Sequence, residues 1–176
     1  MILTTAFVFH VLSGALWTGA TLYVVYAVLP RGSDGTLGAA GFVDALHRLL
    51  LITRWTGVVL PVTGAYMLWV LYTPLDLLTA TSRGWAVIAM IALWGVMNGL
   101  IEIGILDARR EVDPEVGWGT YMAEGFPVAT LPADGSERAV RVEQLAGAVR
   151  PALLASGGCA VLLLVDAALL AGGIPV

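Results

Sequence analysis

Four stretches of this chain carry almost no charged side chain: residues 7–29, 50–72, 85–106 and 152–173. Each is long enough to cross a hydrocarbon core ~30 Å thick as a helix, which takes about 20 apolar residues. The polar positions gather between them. The first connection, "PRGSDGTLGAAG", is turn chemistry and leads into "FVDALHRLL", an interfacial or early helical turn of the second span. The second, "TPLDLLTATSRG", is short. The third, residues 107–150, is the only substantial extramembrane part. Its first half, "DARREVDPEVGWGTYMAEGFPVATLPADG", is broken by Pro and Gly and predicts irregular structure. Its second half, "SERAVRVEQLAGAVR", predicts a helix from an N-cap at Ser136 up to Pro151. The pattern therefore predicts an all-α integral membrane four-helix bundle, one domain over residues 1–176, with a loop plus helix between spans three and four.

Polar residues inside the spans are costly in lipid, so their depths carry information. At ~1.5 Å per residue, His10 lies ~10 Å to one side of the midplane, in a layer with Met67 and Met90 and with Asp166 somewhat nearer the centre. Arg54 and Glu102 lie ~10 Å to the other side, and Asn98 stands one turn from Glu102 on the same face. Opposite charges at matched depth predict an ion pair, which is structural or forms part of a proton or ion relay. His10, Ser13, Gly14, Trp17 and Thr21 share one helical stripe, so His10 points into the bundle. Thioethers with an imidazole suit Cu(I), or a haem iron with His/Met ligation. The bland alternative is a His10–Asp166 hydrogen bond with both methionines filling space. His47 is ~30 Å from His10 along the membrane normal, so the two cannot share one ion or haem. It reads as an interfacial residue near headgroups, or near Glu102 and Asp107. Gly57 and Gly64, with Gly95 and Gly99 in "GVMNG", predict close helix packing. Trp69, Tyr72 and Trp85 form an aromatic belt.

Composition supports the membrane assignment. Hydrophobic residues make up 59% and charged residues only 12%, against about 25% charged in soluble domains; mean hydropathy is +0.87. No basic residue precedes the first apolar run, and the run is longer than a signal h-region, so it reads as a retained span. Arginines cluster in the first and third connections, which predicts those connections to be cytoplasmic and both termini outside, in a prokaryotic plasma membrane. One cysteine, Cys159, excludes an intrachain disulfide. The chain has no lysine, hydrolase motif or phosphate loop, and its net charge of -4 gives no support for nucleic-acid binding.

"HVLSGALWTG", with His10, Trp17 and Gly19 followed by an apolar run closing on "VLP", resembles the first span of the CopD-like (copper resistance protein D) membrane domain. "RWTGVVLPVTGAY", with the Thr63–Gly64 pair, is a fainter echo in span two. The His-x6-Trp-x-Gly pattern is also similar to HemJ-like and haem-b small membrane bundles. The CopD resemblance implies a protein that handles or transports copper near the outer leaflet, with His10 as a ligand. In that reading Met67 and Met90 are soft partners and Asp166 orients the imidazole. The second resemblance implies a haem-b redox protein, linked to quinone, using His10 and a methionine. Only then would the chain be an oxidoreductase. A third reading is an accessory subunit, a homo-oligomer or part of a larger membrane complex. It would dock through the 107–150 connection with Trp118, Tyr121 and Phe126.

Overall fold

A computed structural model describes residues 1–132 and 141–173. Four helices are long and apolar enough to cross a membrane: α1 (Ile2–Ser33), α2 (Ala39–Leu71), α3 (Ser82–Val112) and α4 (Val142–Gly172). They run up and down, so Met1 and Gly173 lie at one end (the terminal end) and the connection between α3 and α4 lies at the other (the loop end). Helix α1 packs along α2, α3 along α4, and α1 against α4; a shorter α2–α3 contact closes the bundle.

Each helix extends beyond the apolar run that marks it, because polar flanking residues continue the helix into the interface. "FVDALHRLL" is already part of α2. A π-helical turn over Val24–Val28 interrupts α1. Proline does not end α2 or α4: Pro61 and Pro151 both sit inside helices. The expected boundary at Pro151 is therefore replaced by one continuous helix. Its missing N–H frees only the carbonyl of Gly147, where no side chain crowds the backbone, and Pro61 stands in the same relation to Gly57. The expected N-cap at Ser136 lies outside the described residues.

Hydroxyls within the spans are satisfied by the carbonyl one turn earlier. Thr18 donates to Gly14, Thr21 to Trp17, Thr56 to Ile52 and Ser156 to Ala152. A polar side chain thereby sits in an apolar helix with no unsatisfied group.

The fully buried side chains crowd the loop half: Phe42, Leu46, Leu50, Ile101, Ile105 and Leu145 are all within 2% of complete burial. Elsewhere the helices present large apolar surface outward, including Phe9, Leu12, Val62, Trp69 and Leu162. In water such a surface would drive association; in a bilayer it is the lipid-facing coat. Trp69 and Trp85 are exposed at the terminal end, as a belt requires.

The glycines divide differently from expectation. Gly57 faces Asn98 and Gly64 faces His10, but Gly95 and Gly99 of "GVMNG" face nothing within 4 Å of a built Cβ. Close approach occurs instead at Gly104, where a Cβ would lie 2.6 Å from that of Ala152. The small-residue pattern marks a face of α3 turned away from α4.

Candidate functional site

The stripe on α1 points inward: Ser13, Trp17 and Thr21 are buried, and His10 is half-buried at the terminal end of the row. Trp17 donates its indole N–H to Thr53 Oγ1 at 3.0 Å, pinning α1 to α2 near mid-membrane. One layer further towards the terminal end, His10 Nδ1 lies 2.9 Å from Thr63 Oγ1. The Thr63 hydroxyl has one proton, and at 2.7 Å it donates that to the carbonyl of Val59. With that proton on Val59, the hydroxyl accepts from the ring, an arrangement that puts the ring proton on Nδ1 and leaves the Nε2 lone pair as the available donor atom. Gly64 makes room for this ring: a Cβ there would meet His10 Cε1 at 3.4 Å.

Thr63, not Asp166, is the orienting partner of His10. Met67 follows Thr63 by one turn of α2 and is half-buried on the same face. Met90 and Asp166 lie on α3 and α4. From the Gly104–Ala152 contact, about four turns along the antiparallel α3–α4 pair lead to both residues at one level. Among the described residues, buried Asp166 Oδ2 has no hydrogen-bond partner, and neither has Trp94 Nε1 on α3. Thus Met67 shares the face of α2 that carries Thr63, while Met90 and Asp166 stand at one level along the α3–α4 pair. Among the described residues, no group of three or more His, Cys, Asp or Glu side chains could hold a metal ion. A metal near His10 would draw on thioether sulfur.

The second cluster lies towards the loop end. Arg54 grips Glu102 with two bonds, Nε to Oε1 at 3.0 Å and Nη2 to Oε2 at 3.3 Å. Asn98 sits one turn above, its Oδ1 against Gly57. The guanidinium does more than pair. It also donates to the carbonyls of Met122 (2.9 Å) and Tyr121 (3.3 Å) and stacks on the Tyr121 ring, 5.1 Å from its centroid.

Tyr121 belongs to the connection after α3, which is folded and not irregular: a short helix, Trp118–Glu124, then a 3₁₀ turn, Val128–Thr130. Tyr121 donates its hydroxyl to the Glu102 carbonyl at 3.1 Å, and burial pushes its phenol pKa up. Phe126 is fully buried, with Arg109 over its ring and Arg109 Nη2 3.4 Å from Glu124. The backbone N–H of Phe126 donates to His47 Nδ1 at 3.3 Å, and the positive φ of Gly125 (70°) makes the turn that allows it. His47 therefore binds the connection; it is not held by Glu102 or Asp107. Tyr121 and Phe126 plug the loop end of the bundle. Of the three aromatics expected on a docking surface, Trp118 is exposed, at 50%, and stands edge-on to Tyr121.

These features define a multi-pass helical membrane protein with a half-buried imidazole layer near one face and a half-buried ion pair under a folded cap at the other. No protein-family model, curated protein or solved structure matches the chain.

Proposed function

We propose that this chain is a CopD-like membrane protein of a prokaryotic plasma membrane that binds Cu(I) as cargo near the outer leaflet. In this reading the loop end faces the cytoplasm, and His10 Nε2 and Met67 receive the ion. Met90 and Asp166, on α3 and α4, form a second station towards or away from which the ion moves. The observation that carries the reading is the Thr63 hydrogen bond. It supports the tautomer that offers Nε2, as an orienting partner of a metal-ligating histidine does. Thioether donors beside it favour a soft monovalent ion over Mg²⁺ or Ca²⁺.

The test is a Cu(I) titration of detergent-purified protein against a chromophoric chelator, with an absorption spectrum of the same sample. The expected result is about one copper per chain, lost in His10→Ala and weakened in Met67→Ala. A Soret band that disappears in His10→Ala would replace copper with haem b. Stoichiometric copper that survives His10→Ala would remove the site altogether.

A further inference from the structure

An open groove of about 350 Å³ runs between the loop end of α1 and the first turns of α4, lined by Val25, Leu29, Pro30, Ser33, Asp34, Arg150 and Leu154. Its residues are sorted by depth. Val25 packs against Gly157, where a Cβ would meet it at 3.3 Å. From that contact, about two turns along each antiparallel helix lead to Gly32 and Arg150, so Arg150 is level with the end of α1. The charged mouth (Arg150, Asp34, Ser33) therefore lies at the membrane interface, and the apolar floor (Val25, Leu29, Leu154) runs towards the midplane. That is the polarity of a phospholipid standing in its leaflet.

The mouth also specifies the headgroup. Arg150 makes no ion pair or side-chain hydrogen bond with any described residue, leaving a guanidinium suited to a phosphate. Asp34 does not neutralise it. Both Thr36 bonds to Asp34, from N–H (2.9 Å) and Oγ1 (2.6 Å), fall on Oδ1, which leaves Oδ2 as a free acceptor. Ser33 spends its proton on the Leu29 carbonyl at 2.9 Å, so its oxygen is likewise an acceptor. Of the other charges nearby, Glu143 is 3.6 Å from Arg141, and Arg31 lies on the same turn as Asp34. Among the described residues, Arg150 thus stands beside two hydrogen-bond acceptors above an apolar channel, with Arg31 a second cation acting on Asp34. A bare phosphate leaves the acceptors unused, the glycerol of phosphatidylglycerol offers Asp34 only neutral hydroxyls, and a quaternary ammonium has no N–H to give.

We infer that this groove is a binding site for phosphatidylethanolamine, with its phosphate on Arg150, its primary ammonium on Asp34 and Ser33, and one acyl chain along Val25, Leu29 and Leu154. The inference is independent of the copper reading.

Native mass spectrometry of the intact chain in mild detergent tests it, by titration with phosphatidylethanolamine, phosphatidylcholine and phosphatidylglycerol of identical acyl chains. The first phosphatidylethanolamine should bind about tenfold more tightly than phosphatidylcholine, the factor that about 1.4 kcal/mol from charge-assisted hydrogen bonds supplies. Arg150→Ala should weaken phosphatidylethanolamine binding by a similar factor. Asp34→Asn retains an acceptor for Thr36 and should abolish the ethanolamine–choline discrimination. Equal binding of the three lipids to the unaltered protein overturns the proposal, and so does a preference for phosphatidylglycerol. Discrimination untouched by both variants, or a lipid-free dimer that occludes the groove, also overturns it. The comparison among lipids on the unaltered chain requires no variant to fold.

Discussion

At the scale of single residues, the most informative group is a hydroxyl. Thr63 bonds His10 Nδ1 and has the Val59 carbonyl as an acceptor for its own proton, so its removal takes away the group that favours the Nδ1–H tautomer without touching Nε2. Thr63→Val is expected to lower Cu(I) affinity by about 10- to 100-fold, the usual cost of losing an orienting partner. Thr63→Ser should restore most of it. The same chelator competition reads both, and equal affinities in all three proteins would show that the tautomer does not matter to binding. His10 itself was legible in the sequence, since an imidazole on a Ser/Gly/Trp/Thr stripe has to face the bundle. Thr63 was visible only as half of a Thr–Gly pair. Its role needed the relative rotation of α1 and α2, which single-helix periodicity does not contain. The expected Asp166 partner was chosen by matched depth alone. Depth fixes a level across the membrane but not the side of the bundle: the ring bonds Thr63, and Asp166 Oδ2 has no partner among the described residues.

Among elements, the connection after α3 behaves as part of the core. It is held by Arg54 and His47 of α2 and by Arg109 of α3, and it inserts Tyr121 and Phe126 at full burial. Phe126→Ala should cost about 3–5 kcal/mol, as an aromatic truncation in a packed site does. Tyr121→Phe, which loses one hydrogen bond, should cost about 1 kcal/mol. Thermal melts in one detergent check both, and limited proteolysis should cut residues 113–131 faster in Phe126→Ala. The Pro and Gly residues that suggested an irregular loop are real, but they bend the chain back onto the helices. Which aromatics it would bury could not be read locally, because their partners include Arg54 and His47 on α2, 67 and 79 residues earlier in sequence. The first connection offers a pH-dependent counterpart. Hydrogen bonds from the Thr36 hydroxyl and then its N–H hold the Asp34 carboxyl below the ordinary range. A lowered pKa means the support it gives the turn is complete above about pH 4 and lost as pH falls through the folded value. Amide exchange at Thr36 should show protection fading only in that acid window; protection unchanged down to pH 2 would assign the turn's order to its backbone alone.

For the whole molecule, span number and the up-down order were legible because they follow from one-dimensional hydropathy, whereas the neighbours of each helix were not. The sequence marks "GVMNG" as a packing face, yet α3 meets α4 at Gly104 and turns Gly95 and Gly99 away. Gly104→Val should therefore destabilise the bundle by about 1–3 kcal/mol through overpacking, while Gly99→Ala leaves its melting temperature unchanged. The remaining global quantity is orientation. Helix packing is the same whichever way the bundle is inserted, so the decision belongs to the arginines. Arg31 and Arg48 flank the first connection, and Arg109, Arg110, Arg138, Arg141 and Arg150 serve the third, against Arg83 alone at the terminal end. Although Arg109 is buried under the cap and Arg54 is paired with Glu102, insertion is decided before these contacts form, so the folded pairing does not cancel the bias. The loop end is expected in the cytoplasm. With Cys159 replaced by serine, a cysteine at exposed Trp118 should resist a membrane-impermeant thiol reagent in intact cells and react after lysis, and one at Ile2 should react in both. The opposite labelling pattern would place His10 and Met67 near the cytoplasmic leaflet. The copper proposal would then concern an ion already inside the cell.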